Sequence, residues 1–410
     1  MRCRSSFLAL LATLGFAAAG AAGARAATVP VPDPMQGDGR VSAFYTWDGA
    51  IPAKPGTVLR TEPLPEPLGL PLAGTQVRIL YSSTDGVDGT SPAVVSGALF
   101  EPKGTPPPGG WPLIAWAHGT VGVADICAPS WAARSYRDVS YLNTWLAQGY
   151  AIVSTDYQGL GTPGPHPYLN VRSEAYGVLD SVRAALAHDP NIANKIVIVG
   201  QSQGAGAAFG TAGYAPQYAP ELKIRGTVAT GVPYFGPNVP SAGEADPNRV
   251  DPGIAYIFYL ALYAQSTDPG LTPADLFAPA ALPIFEMARS SCIWALEDDV
   301  TLAGLTDATA LRPAIRSLLA KHYPEFFFPT LALKQPLFVG TGLEDHDVRP
   351  AVQEQLVKDS CAAGTIVEAH RYAGLSHSQT VNASLRDSIP FVKKVLAGTP
   401  IAPVCSPVPE

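Results

Sequence analysis

From about residue 76 onward the chain alternates short apolar runs with longer segments whose apolar residues recur every three or four positions. "QVRILYSST" and "PAVVSGALFEP" flank the Asp-Gly-rich stretch "DGVDGTS", a pattern that predicts two paired strands joined by a turn. "PPPGG" then breaks the chain before "WPLIAWAHG", a short, fully apolar run of the kind found in a parallel strand buried on both faces. Strand-like "YAIVSTD", "KIVIVG" and "RGTVATGV" follow, and the spacing between them predicts helices over 140–148, over 174–188 and from Gln203. The helix over 174–188 carries Ala175, Val178, Leu179, Val182, Ala185 and Leu186 on one stripe, the face it would bury. Strand–helix alternation of this kind predicts an α/β fold with a mostly parallel sheet flanked by helices. Sites in such sheets form at the carboxyl ends of the strands.

The alternation stops near Pro233 and resumes near residue 334, where "QPLFVGTG" and "IVEAHRYAG" supply two more strands. The intervening residues 233–333 hold helical patches and many prolines but no clear strand. Since the sheet needs strands from both sides, the simplest organisation is one core, 27–232 and 334–410, with an inserted helical cap or lid over 233–333. Residues 27–75 are rich in Pro and Gly and read as an irregular arm laid on the surface.

The start of the chain follows a different pattern. "MRCRSSFLALLATLGFAAAGAAGARA" has arginines, an apolar run from Phe7 and a small-residue ending, the layout of a secretory leader cleaved after Ala26. Its apolar run is too short for a spanning helix, and the longest later run, "IAYIFYLALY", has ten residues where about 18 are needed. A secreted or periplasmic protein is therefore expected. Cleavage would remove Arg2, Arg4 and Arg25, taking the basic count from 27 to 24 against 34 acidic residues, so the net charge moves from −7 to −10. No basic patch stands out, which argues against a nucleic-acid partner. Four cysteines would remain, Cys127, Cys292, Cys361 and Cys405, enough for two disulfides in an oxidising compartment. Three pairings are open. Cys127–Cys292 with Cys361–Cys405 is expected, because the first would tether cap to core and the second would secure a Pro-rich tail.

The chemistry centres on "KIVIVGQSQGAGAAFG". Gly200-Gln201-Ser202-Gln203-Gly204 fits G-x-S-x-G, in which a serine sits on a sharp strand-to-helix turn and flanking glycines relieve backbone crowding. Such a serine needs a base, and this fold delivers its triad in the order Ser, acid, His. His377, in the loop "YAGLSHSQTV", is placed to reach Ser202; His370 lies inside a strand and reads as structural. In "LFVGTGLEDHDVRP" the acid is expected at Asp345, with Asp347 the alternative. A metal held by Asp345, His346 and Asp347 has no supporting ligand cluster elsewhere, and no metal is expected. The oxyanion donors are expected to be the N–H of Gln203 and that of Thr120 or Gly119, in the loop after "PLIAWA". His118 in that loop reads as an ordering residue. Asp156 should tie down the turn "TDYQGLGTPGPHPYL", where His166 and Tyr168 approach the site.

Taken together, "WAHG", "DYQGLGTPGPHPYL", "GQSQGAG", "GTGLEDHDV" and the late "GLSH" resemble the secretory lipase family of the α/β-hydrolases, over most of the chain from residue 76. The resemblance implies the α/β-hydrolase fold, an exported serine esterase or lipase acting on carboxylic esters, and Ser202, Asp345 and His377 as its triad. Two departures stand out: glutamine at both variable positions of the elbow, and one extra residue in the acid loop before Asp345, which keeps Asp347 open. No cofactor is expected, and the partner is a small-molecule or lipid ester, with transient contact to a lipid interface. Two rival readings are a peptidase or polyester depolymerase using the same triad, and a non-catalytic binding module. In the insertion, "IAYIFYLALY" is apolar on every face, so Phe258 and Tyr259 are candidates for an acyl-binding roof; burial between cap and sheet is the alternative.

Overall fold

The computed structural model describes residues 40–240 and 246–408. The leader expected over 1–26 and the first part of the arm lie outside the described residues. Nine strands form one sheet in the order β1-β2-β3-β5-β4-β6-β7-β8-β9. Their ranges are β1 Val58–Pro63, β2 Ala73–Thr84, β3 Pro92–Pro102, β4 Trp111–Ala117, β5 Ala151–Thr155, β6 Ile192–Gln201, β7 Ile224–Thr230, β8 Leu337–Gly342 and β9 Val367–Tyr372. The first three strands and the β3–β5 pair are antiparallel. From β5 through β4, β6, β7 and β8 to β9 every pairing is parallel.

The central strands read as unbroken apolar runs because both of their faces are covered. In β6, Ile196 and Ile198 face one layer of core while Val197 and Val199 face the other. The first layer is packed by α2 (Val171–His188), through Val178, Leu179 and Val182, and by α3 (Gln203–Tyr218). The second is packed by α1 (Tyr136–Ala147) and by α12 (Leu385–Ala397), through Phe391, Val392 and Val395. Each such side chain, fully removed from water, contributes about 1.5–3 kcal/mol.

Two local differences from the sequence reading have physical causes. The arm expected to be irregular contains β1, which pairs with β2 from Val58 opposite Tyr81 to Pro63 opposite Val77. Its sequence, "VLRTEP", lacks clean alternation and ends on proline, which an edge strand tolerates because one side of it need not donate to a ladder. Helix α2 begins at Val171 rather than 174, since the Asn170 side chain caps it by accepting from Ser173 N.

Between β7 and β8 the chain forms α4 (Ile254–Thr267), α5 (Pro273–Leu276), α6 (Leu282–Ala288), α7 (Ile293–Leu302), α8 (Asp307–Ala310) and α9 (Ala314–Phe326). Among the described residues this stretch carries no strand, only isolated bridges. It has its own apolar core, built from Phe258, Phe277, Phe285, Leu296 and Val300. Cys127 is joined to Cys292, at the start of α7, and Cys361, in α10 (Pro350–Ala362), to Cys405 in the tail. Among the described residues, no helix is long and apolar enough to cross a membrane.

Candidate active site

Strand β6 ends at Gln201 and α3 starts at Gln203, which leaves Ser202 alone on the turn with φ 56° and ψ −125°. An L-residue pays for positive φ by crowding its Cβ against the backbone, so the conformation must be imposed by its surroundings. Ser202 N donates to Thr230 O at 2.9 Å, and Ser202 O accepts from Ala205 N at 2.8 Å. The flanking glycines are obligatory for a second reason. A Cβ at Gly200 would lie 1.9 Å from Gly204 O, and one at Gly204 would lie 1.9 Å from Ala117 O. The elbow therefore wedges between β4 and its own helix with no room for a methyl group.

His377 is the first residue of α11 (His377–Ala383), whose N-terminus is fixed by a capping box between Ser376 and Gln379. Its Nδ1 lies 2.7 Å from Asp345 Oδ2. Asp345 is buried in the loop after β8 and is held from all sides. Its Oδ1 accepts from Asp347 N at 3.0 Å and Val348 N at 2.8 Å, and its Oδ2 also accepts from Gln353 Nε2 at 2.8 Å. A carboxylate with four donors is an acceptor for the imidazole N–H, so Nδ1 carries the proton and Nε2 presents a lone pair. Asp347 is exposed, and what it gives Asp345 is a backbone N–H. Asp345, Asp347 and His377 offer atoms within 4.8 Å of one another. The donors already on Asp345 leave it little capacity as a metal ligand.

At Nε2 the imidazole meets the Gln201 side chain, whose Nε2 is 2.9 Å away. Gly119 packs directly on this pair: a Cβ there would fall 2.3 Å from Gln201 Oε1 and 3.3 Å from Ser202 Cβ. The loop carrying Gly119 and Thr120 thus reaches Ser202. His118 Nδ1 donates to Gly119 O at 2.7 Å, and Thr120 Oγ1 bonds the Tyr168 hydroxyl at 2.7 Å. A cavity of about 100 Å³ begins here, with Gly119, Thr120, Trp116, Arg137 and Trp294 in its wall.

The second elbow glutamine faces the other way, into a buried polar cluster. Gln203 Nε2 donates to Glu174 Oε1 at 2.8 Å and lies 3.2 Å from His166 Nε2. His166 Nδ1 donates to Gln158 O at 2.8 Å, so its Nε2 is an acceptor for the same amide. Leu169 N also donates to Glu174 Oε1, at 3.1 Å. Burial pushes the Glu174 carboxyl up to about 8, partly offset by these donors, and pushes the His166 imidazole down to about 4. Sequence reading gave Glu174 only a place in a helix. The available signal was a charged residue on the otherwise apolar stripe of that helix.

The remaining expectations fall as follows. Asp156 accepts from Ser130 N at 2.9 Å, from Ser96 Oγ at 2.7 Å and from Ser130 Oγ, tying the 156–170 loop to its neighbours. His370 stacks on Phe338 within the sheet layer. Phe258 is fully buried among the insertion's own rings, 4.9 Å from Phe277 and 5.7 Å from Phe285. Tyr259 is also buried, but its ring lies 5.8 Å from Tyr168, one side chain removed from Thr120.

Residues 133–244 match the family model described as Secretory lipase. Lipase 9 of Candida albicans is 35% identical over 143 residues, 32% of this chain and 30% of that protein. Lipase A of Moesziomyces aphidis is 23% identical over 397 residues, 89% of this chain and 82% of that one. Over residues 133–244 the chain is similar to the secretory lipase family. The match spans 30% of the length of the first two curated members it resembles. The fold is shared more widely. Candida antarctica lipase A in its closed state superposes with a TM-score of 0.71 at 20% identity, covering 90% of this chain and 89% of that one. The rice cell wall degrading esterase LipA from Xanthomonas oryzae gives 0.63 at 20% identity, covering 84% and 98%. An α/β-hydrolase fold is thereby established, with the secretory-lipase segment running from just before α1 past the elbow.

Proposed function

We propose that this chain is an exported serine hydrolase of carboxylic esters, an esterase or lipase whose triad is Ser202, His377 and Asp345. The observation that carries the reading is the conjunction of a strained serine with a His377–Asp345 pair at 2.7 Å. Backbone strain of this kind costs on the order of 1–3 kcal/mol and persists where the surroundings over-determine it. In the reaction Ser202 Oγ attacks the ester carbonyl and its proton passes to His377 Nε2. Asp345 keeps the ring in the required tautomer and stabilises the imidazolium. The developing oxyanion meets the N–H of Gln203 and that of Thr120 or Gly119. His377 then returns the proton to the departing alcohol, and a water activated by the same Nε2 releases the acid and regenerates Ser202. Apart from the ester and that water, every step uses groups of this chain.

The helices over 233–333 would act as a cap, tied by Cys127–Cys292 to the loop beyond the oxyanion donors. Export is supported by the leader-like first 26 residues, by two disulfides and by the family. The substrate class is a small-molecule or lipid ester. The deciding measurement is hydrolysis of p-nitrophenyl esters of graded chain length by the wild type and by Ser202→Ala, whose folding is checked by circular dichroism. Loss of at least a thousandfold for every ester is expected. A folded Ser202→Ala protein retaining more than a few per cent of the rate would overturn the assignment.

A further inference from the structure

Neutral imidazole has one lone pair, and in His377 it lies on Nε2, because Nδ1–H is committed to Asp345. That lone pair is the group a serine proton must reach. In the structure it is taken by the buried Gln201 amide, 2.9 Å away, and no hydrogen bond joins Ser202 Oγ to the ring among the described residues. The amide N–H is the only part of Gln201 that can face a lone pair favourably, which places Oε1 on the opposite side. There it rests against Gly119, at a point where a Cβ would overlap it at 2.3 Å. The seat is built from three elements: the end of β6, the oxyanion loop and the start of α11. Glutamine at this elbow position, a departure noted in the sequence, thus has a partner and a matching gap.

We propose that Gln201 is a positioning residue that holds the resting imidazole of His377 by its Nε2 lone pair and must release it before Ser202 can pass on its proton. This rests on the serine-hydrolase reading above. The hydrogen bond has two consequences. It fixes the ring tautomer from the end opposite Asp345. It also favours the neutral ring, because an imidazolium proton on Nε2 would meet the amide N–H head on. Turning the amide over would exchange Oε1 for the NH2 group at the point beside Gly119 where a Cβ would overlap it at 2.3 Å.

The groups facing His377 from every side enter the expected titration. Asp345 and Asp347 stand on the loop after β8. From the insertion Glu297, which accepts from the Tyr256 hydroxyl at 2.8 Å, interacts with the ring electrostatically. On α1, Arg137 pairs with Asp138 at 2.8 Å and donates to Ser378 Oγ at 3.2 Å, next to the histidine. The carboxylates favour the cation, and these groups are untouched by a change at 201. Differences between variants therefore report on the Gln201 contact.

The experiment is an NMR titration of the His377 ring in full-length Ser202→Ala protein, alone and combined with Gln201→Met, Gln201→Glu or Gly119→Ala. Removing the donor with Gln201→Met should raise the protonated-to-neutral ratio at a fixed pH about threefold, the scale of one net hydrogen bond. A carboxylate in the same seat should raise it by roughly tenfold or more. Gly119→Ala, which displaces Oε1, should move the midpoint in the direction of Gln201→Met. With Ser202 restored, the acid limb of kcat/KM should shift in the same order. Coincident titrations in Gln201→Met and its parent, or a downward shift, would overturn the proposal; Gln201 would then merely fill space. If Gln201→Glu does not fold, Gln201→Met and Gly119→Ala carry the test. A ring titration that moves as expected in a protein inert toward every ester would sink the ester-hydrolase reading and leave the Gln201 contact standing.

Discussion

At the end of β6 one added methyl group, at Gly200 or again at Gly204, would sit 1.9 Å from a backbone oxygen; in α4, by contrast, Phe258 is held by other rings, 4.9 Å from Phe277 and 5.7 Å from Phe285. The two regions are specified differently. Around the elbow, backbone lies on backbone, and no repacking of side chains can relieve an intrusion. In the insertion, side chains lie on side chains, and an apolar core of about the right volume can be met by many sequences. The same contrast separates the two polar settings. His377, Asp345 and Gln201 are joined by contacts of 2.7 and 2.9 Å, while the insertion meets the core through one disulfide, the neighbouring Ile293 N to Val121 O hydrogen bond at 2.8 Å, and ring contacts such as Tyr259–Tyr168 and Phe328–Phe209. The proposed chemistry sits where backbone lies on backbone, and the neighbouring insertion is packed by side chains that are freer to vary.

Four sets of substitutions test how far that division holds. The largest effect is expected at Asp345→Asn, which leaves the packing in place but offers the imidazole the wrong partner; kcat should fall by about 10⁴. Asp347→Asn, whose side chain is exposed, should change kcat by less than about threefold, a scale set by surface charges. Steady-state kinetics on one short ester compares them, and a reversed order would move the acid to Asp347.

Replacing both Cys127 and Cys292 by serine removes the covalent tie between insertion and core. The 165-residue separation implies about 5 kcal/mol on the loop-entropy model, against about 4 for the 44-residue Cys361–Cys405 link. If the insertion is the less firmly held region, proteolysis of the Cys127/Cys292 variant should begin within residues 233–333, while the Cys361/Cys405 variant should fray at its tail. Equal cleavage of the core in both would erase the distinction.

Glu174→Gln probes the buried cluster beneath the elbow. A carboxyl raised from its usual range to about 8 binds a proton in the folded state that the unfolded chain has already released. Its contribution to stability is full below about pH 4.3 and is lost as pH rises through the folded value of about 8. His166, lowered to about 4, works in the opposite direction: its contribution is present above about pH 6.5 and is lost as pH falls toward 4. Above pH 6.5 only the Glu174 effect remains. From there to pH 8 the wild type should lose about 2 kcal/mol through this group, and Glu174→Gln should lose none of it. Urea titrations at the two pH values provide the measurement, and parallel losses would refute the buried protonated carboxyl.

In the insertion the effect is expected on stability and not on selectivity. Phe258→Leu should cost about 1–3 kcal/mol of stability through imperfect repacking. It should lower rates on all ester chain lengths alike, since the ring is enclosed by the insertion's own core. Tyr259→Phe removes the hydroxyl that donates to Ser291 O at 2.9 Å but keeps the ring against Tyr168. A change in chain-length preference at Phe258 would show that the acyl group enters the insertion's core after all.

The sequence determined what depends on neighbours along the chain. Alternating and unbroken apolar runs placed the central strands, because side-chain direction in a strand repeats every two residues. The elbow was legible as G-x-S-x-G after "IVIV", because a sharp turn needs glycine at fixed offsets. The cysteine pairing followed from which segments must meet if an insertion covers the sheet edge. What remained open depended on residues far apart in sequence. Asp345 and Asp347 are two positions apart on one loop, and only the packing of α11 against β8 buries one and exposes the other. Strand β1 is recruited by the edge of β2, which no local pattern in "VLRTEP" encodes. The two elbow glutamines look alike in sequence, yet the turn sends one toward His377 and the other toward Glu174 and His166. Local rules fix backbone direction, whereas the partner of a buried polar side chain is set by desolvation, which only the assembled core imposes.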